Sequence, residues 1–170
     1  MHKIVYIFIL YLLLPFFLYA KEPVLAILDS VDSNGLQMFH IRDYSFVCRA
    51  YGVLTLQKLY NNSKLDSKCQ KEIYNLYKKN PNLKYYAQKV LKTQQTYHVE
   101  FKNRECVLYA FGEKTLSESL LENGLAVYKP IFKDDEFKYL FYNAQLKAKM
   151  GKHGMWEKNI IYKCIEELYK

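Results

Sequence analysis

The chain has 170 residues, with 25 Lys and Arg against 17 Asp and Glu, for a formal net charge of +8. Apolar residues make up 51% and charged residues 25%, which excludes an intrinsically disordered chain; only 6 Gly and 4 Pro exclude collagen-like and low-complexity classes. The length fits one domain, with or without a targeting segment, and leaves no room for two full cores.

Residues 1–20 read as a secretory signal peptide. Met1-His2-Lys3 is a short basic start, and Ile4 to Ala20 is an uncharged apolar run that ends at the polar Lys21-Glu22-Pro23. The rival reading is an uncleaved anchor associated with the membrane, for which the run is short. Removing residues 1–20 deletes one lysine and no acid and leaves a net charge of +7 on residues 21–170, read as the single domain. The expected location is therefore exported, either periplasmic or secreted.

Export changes how the cysteines are read, because an oxidising compartment permits disulfides. Cys48, Cys69, Cys106 and Cys164 show no C-x-x-C spacing and no ligand cluster with histidine. Cys48 and Cys106 fall in strand-like segments and read as small buried hydrophobes. Cys69 and Cys164 fall in helix-like segments and are the pair expected to bridge.

In chain order, Val24 to Leu28 reads as a strand and Asp32-Ser33-Asn34-Gly35 as a turn. Leu36 to Ile41 and Ser45 to Val53 flank a second turn at Arg42-Asp43-Tyr44, which makes a three-stranded meander. Phe46, Cys48 and Ala50 alternate with Val47, Arg49 and Tyr51, so one face carries a lone arginine between bulky apolar groups. Residues 66–78 place Cys69, Ile73, Leu76 and Tyr77 on one helical stripe. Asn80 before Pro81 reads as an N-cap, followed by a helix with Leu83, Tyr86, Ala87, Val90 and Leu91 on its core face. Tyr97, Val99 and Phe101 alternate with His98 and Glu100 in a half-buried strand, and Asn103 turns the chain into a strand from Glu105 to Phe111.

Thr115-Leu116-Ser117-Glu118 is a capping box, and Gly124 closes the helix it opens. Asp134 and Asp135 start a long helix with Phe137, Leu140, Phe141, Ala144 and Ala148 on one face. Lys158 to Tyr169 is a final amphipathic segment. Five strands and several helices in this order point to an α+β fold, a five-stranded OB-type β-barrel with packed helices. An extra helix follows its third strand, and another ends the chain.

Several of these segments resemble the staphylococcal nuclease (thermonuclease) family. The order Leu120 to Pro130 ("LLENGLAVYKP"), Ala144, Ala148 and Gly154-Met155-Trp156 is similar to a C-terminal region of that family. "CRAYGV" at 48–53 and "TYHVEF" at 96–101 resemble two of its strands. The resemblance implies the barrel fold and maps the family's two catalytic arginines onto Arg49 and Arg104. It maps the general-base glutamate onto Gln57 and the two calcium-binding aspartates onto Leu54 and Asn34, with Asp32 beside the second. Tyr128 aligns with a nucleotide-pocket tyrosine. Asp29 and Asp43 are nearby alternatives for a lost ligand, while His40, His98 and His153 share no motif.

These departures have chemical consequences. Calcium needs several oxygen ligands, mostly carboxylates, so Leu54 and Asn34 remove much of the expected affinity, and no cofactor is expected. Glutamine cannot take a proton from water, which removes a general-base contribution of about 10²–10⁴-fold. Arginine forks still match phosphate oxygens. The expectation is thus an exported protein that binds nucleic acid or another phosphate-containing polyanion, with hydrolysis weak or lost. The alternatives are an active secreted nuclease with a non-standard, Ca²⁺-dependent or other metal site, and a non-enzymatic envelope interaction module.

Overall fold

The computed structural model describes residues 23–61, 66–129, 131–157 and 165. The expected signal peptide, most of the final amphipathic segment and Cys164 lie outside the described residues. The fold is α+β, with a mostly antiparallel sheet and helices packed against it.

Strands β1 (Val24–Ser33), β2 (Leu36–Ile41) and β3 (Tyr44–Arg49) form the expected meander. The β1–β2 turn is the two-residue Asn34-Gly35, a short hairpin signal. It sits later than the four-residue turn read from sequence, because two register shifts let β1 bend and continue to Ser33. The Gln37 amide, fully buried, donates to the carbonyls of Ser33 and Asn34 and braces this turn.

The third strand does not run to Val53. Its alternation holds through Arg49, and the chain then swings out at Gly52, which has φ +70. A Cβ at Gly52 would stand 2.5 Å from the Phe132 ring, so the bend needs both the left-handed backbone and the absent side chain. Beyond it, β4 (Val53–Thr55) pairs with β8 (Ala126–Tyr128) in a separate two-stranded sheet, and Tyr51 is drawn into the core.

After β4 come three helices, α1 (Leu56–Tyr60), α2 (Ser67–Lys79) and α3 (Pro81–Lys84), then α4 (Tyr86–Val90). Asp66 caps α2, which buries Cys69, Ile73 and Leu76 as its stripe implies. The single helix expected after Pro81 is broken in two, and Asn80 makes no side-chain cap. The cause is Asn34. Its Nδ2 donates to the Leu83 carbonyl at 2.7 Å and its Oδ1 accepts from the Ala87 N–H at 2.9 Å. Leu83 and Ala87 are the i and i+4 partners of a continuous helix, so the inserted amide replaces one rung of the ladder.

Strands β5 (Thr96–Lys102), β6 (Glu105–Phe111) and β7 (Lys114–Thr115) complete a six-stranded sheet of order β3-β2-β1-β5-β6-β7. The short β7 is absent from the sequence reading. Helix α5 (Leu116–Glu122) carries the expected capping box between Thr115 and Glu118. Helix α6 (Asp135–Met150), capped by Asp134, buries Phe137, Phe141, Ala144, Gln145 and Ala148. Leu140 is 47% exposed and Gln145 takes the core-facing place, its amide oxygen accepting from the Tyr128 N–H. A 3₁₀ turn (Gly154–Glu157) then brings Met155 and Trp156 into the core.

The sheet is not closed by a ladder. The chain just past β3 meets β6 at an isolated parallel bridge, Ala50 to Cys106, with the Tyr51 N–H donating to the Cys106 carbonyl. Cys48 and Cys106 are joined by a disulfide across this seam, their Cα atoms 5.4 Å apart. The reading of these two cysteines as plain buried hydrophobes is therefore corrected: both are buried, but as a cross-link between non-adjacent strands. Cys69 is also disulfide-bonded, while its expected partner lies outside the described residues.

A second tie holds β5 to α6. Lys102 lies between Glu100, Asp134 and Glu136, and its ammonium stands 4.5 Å from the centre of the Phe137 ring. Glu100 is buried on β5 because Lys102 and the Tyr109 hydroxyl satisfy it, which is why this strand departs from simple alternation. Burial alone would lower the Lys102 pKa, but its bonds to the three carboxylates outweigh that and raise it. The Tyr51 hydroxyl donates to Asp134, and burial together with this carboxylate pushes the phenol pKa up.

Candidate functional site

A cleft of about 410 Å³ opens where the β1–β2 turn, the end of β3, β4 and α1 converge. Its polar lining includes Asp32, Arg49, Gln57, Lys58, Asn61 and Glu105. Local folding explains the gathering. The β2–β3 register pairs Leu36 with Arg49, which brings the arginine beside the Asn34-Gly35 turn. Thr55 caps α1 by accepting from the Lys58 N–H at 3.4 Å, and this fixes the first helical turn with Gln57 and Lys58 on the cleft.

Among the expected site residues, the structure brings together Arg49, Gln57 and Asp32. Arg104 does not line the cleft. The hairpin between β5 and β6 is a two-residue turn, with Asn103 at φ 49 and Arg104 at φ 65, so Arg104 is an exposed turn residue. The parallel bridge at Ala50 and Cys106 instead sets Glu105 opposite Arg49. Glu105 is the residue that sequence reasoning missed. The signal was present, since strands that pair Lys102 with Glu105 leave Arg104 in the turn.

Glu105 is already engaged, forming an ion pair with Lys129 and accepting from the Gly52 N–H at 3.1 Å. Asp32 is exposed and accepts from the Ser30 hydroxyl. Asn34 is 2% exposed, does not line the cleft, and spends its amide on Leu83 and Ala87. Leu54 is half-buried against the core. Tyr128 packs edge-on against Phe132, away from the cleft lining.

No known family model matches the chain, and no curated protein matches it in sequence.

The alternative carboxylates do not rebuild a calcium site. Asp29 is paired with His40 at 2.6 Å, and Asp43 lies in the exposed β2–β3 turn. His153 is held by the Glu122 carbonyl. Among the described residues, no three His, Cys, Asp or Glu side chains form a group able to hold a metal ion. A hard cation in the cleft would meet one exposed carboxylate, one committed carboxylate and neutral amides, a donor set that does not fit calcium.

What remains is a polar concavity with two cationic side chains, Arg49 and Lys58. Among the described residues neither has an ion-pair partner. A guanidinium on a strand end beside a concavity is a fit for phosphate oxygens.

A second concavity, of about 490 Å³, adjoins the first and shares Gln57 and Asn61 with it. It is built by α1, α2 and the turn around Pro81, the region of the extra helix expected after the third strand.

Proposed function

We propose that this chain is an exported, divergent relative of the thermonucleases that binds nucleic acid or another phosphate polyanion and cleaves it poorly or not at all. The observation that carries the reading is the pairing of Arg49 with Gln57 in one cleft: the phosphate-binding group is retained and the proton acceptor is an amide. A bound phosphodiester would be gripped by Arg49 with support from Lys58. Water attack on it would lack a general base at the Gln57 position, a loss of about 10²–10⁴-fold.

The reading includes an OB-type barrel, supported by the approach of β3 to β6 at the Ala50 bridge and by the cross-link of Cys48 to Cys106. Export is supported by the apolar start of the sequence and by two structural observations: Cys48 and Cys106 are bonded, and Cys69 is also in a disulfide. The net charge of +8 favours polyanions in general.

Incubation of the purified chain with single-stranded and duplex DNA, in calcium and separately in chelator, tests the loss of catalysis. The expected result is intact DNA in both. Rapid digestion abolished by chelator would overturn the reading and favour an active nuclease, with Asp32 as the first carboxylate to replace.

A further inference from the structure

Resting on the phosphate-binding reading of the cleft, we infer that the adjoining concavity is a base-stacking subsite for single-stranded nucleic acid. Four tyrosines form its walls: Tyr60 from α1, Tyr74 and Tyr77 from α2, and Tyr85 from the break between α3 and α4. Tyr60, Tyr74 and Tyr85 are 39%, 54% and 46% exposed, so much of their ring surface faces solvent. Tyr77 is half-buried against the core, whereas Tyr74 is not needed for the packing of α2, whose buried stripe is Cys69, Ile73 and Leu76.

Charge narrows the occupant. Lys78 and Lys84 stand on the rim, and no acidic side chain lines the concavity among the described residues. The Lys84 ammonium sits 5.6 Å from the centre of the Tyr85 ring, which joins a cation to an aromatic face. Together with Arg49 and Lys58 in the adjoining cleft, four cations line the two concavities that hold the stacking platforms. Sequence-tolerant single-strand binders combine these two elements, since every base has a π-face and every link carries a phosphate. A duplex keeps its base faces inside the stack, so an unpaired strand is the matching ligand.

The break at Tyr85 positions this platform. Asn34 holds α3 apart from α4 by occupying the Leu83–Ala87 rung, and Tyr85 lies between those two residues. One amide thus links the turn beside the phosphate cleft to the placement of an aromatic wall.

The test compares two labelled probes on the full chain by fluorescence anisotropy at physiological salt: a short oligothymidylate, and a phosphodiester chain of the same length that is abasic throughout. The base-bearing chain is expected to bind at least about fivefold more tightly. Tyr74→Ala and Tyr85→Ala should each lose about fivefold or more on oligothymidylate and little on the abasic chain, while Tyr74→Phe and Tyr85→Phe retain affinity. Both positions are exposed, and circular dichroism checks that the variants stay folded. Equal affinity for the two probes, or alanine variants that match the parent while Arg49→Ala weakens both probes, overturns the stacking subsite and leaves the phosphate cleft standing. No binding of either probe overturns both.

Discussion

Replacing Asn34 by aspartate would restore an acid at a position that the thermonuclease resemblance assigns to metal binding, and it should damage the protein without helping it cut. The amide is 2% exposed and makes two backbone contacts, donating to Leu83 and accepting from Ala87. A carboxylate keeps the second and cannot make the first. The Leu83 carbonyl, which accepts from the Asn34 Nδ2 at 2.7 Å, would face an acceptor instead. An unsatisfied buried partner costs about 1–3 kcal/mol, and confining a charge there adds to it, so N34D should lose about 2–4 kcal/mol at neutral pH. With a urea slope of about 2 kcal/mol/M, the middle of the usual range, the midpoint should fall by roughly 1–2 M. The pH dependence gives an independent check. A protonated carboxyl can donate to Leu83, so burial raises its pKa above that of a free aspartate, about 3.9. The cost is then small below about pH 4, where folded and unfolded states are both protonated, grows as pH rises from there toward the raised value, and levels off above it. Urea melts of both proteins followed by circular dichroism at acid and neutral pH measure it. A variant as stable as the parent at neutral pH, or a deficit independent of pH, would refute the inserted-rung account of Asn34.

Three further outcomes follow from the fold. Gly124→Ala should cost more than about 2 kcal/mol in a chemical melt, because the residue has φ +63 and an added Cβ would lie 2.1 Å from the His153 carbonyl oxygen. Acid titration of stability should show a loss that begins as pH falls below the ordinary carboxylate range, about 4. For Asp134 and Glu122, burial favours the neutral form, but bonds from Tyr51 and Lys102, and from Lys114 and Lys147, hold both pKa values down. Their contribution is therefore whole above the unfolded values and lost through the depressed ones, and Lys102→Met should flatten the Asp134 part of that limb. Peptide mapping without reductant should recover Cys48 joined to Cys106, a 58-residue separation whose closure is worth about 4 kcal/mol by chain entropy, and Cys69 joined to Cys164.

Much of the scaffold was legible because local signals agreed with tertiary structure. The Thr115 capping box, the Cys69–Ile73–Leu76 stripe and the Asn103 turn each depend on nearby residues, and each stands where the sequence puts it. The failures come from contacts remote in sequence. Asn34 breaks a helix 49 residues away, and no periodicity in 81–91 announces that insertion. Likewise, β3 ends early because Gly52 must pass Phe132 and Phe141, which arrive from the far end of the chain. The site was half legible. Arg49 and Gln57 follow from a strand and a capped helix that local sequence specifies. Arg104 stands in the turn and not in the cleft lining, and motif spacing fixes a residue's register without showing whether it stands on the strand or in the turn. Glu105 emerged only when the Ala50–Cys106 bridge set two distant strands side by side.

The central proposal is that Arg49 grips phosphate in a cleft that cuts poorly or not at all. Titration of a labelled oligonucleotide with the parent chain, Arg49→Ala and Arg104→Ala, with the oligonucleotide's length checked afterwards, tests it most directly. The account predicts a loss of about 1.5–3 kcal/mol for Arg49→Ala, a smaller one for the exposed turn residue Arg104, binding that weakens with salt, and an intact oligonucleotide. Equal, small losses from both variants would mean diffuse attraction to a basic surface, and a digested oligonucleotide would mean an enzyme; either contradicts the account.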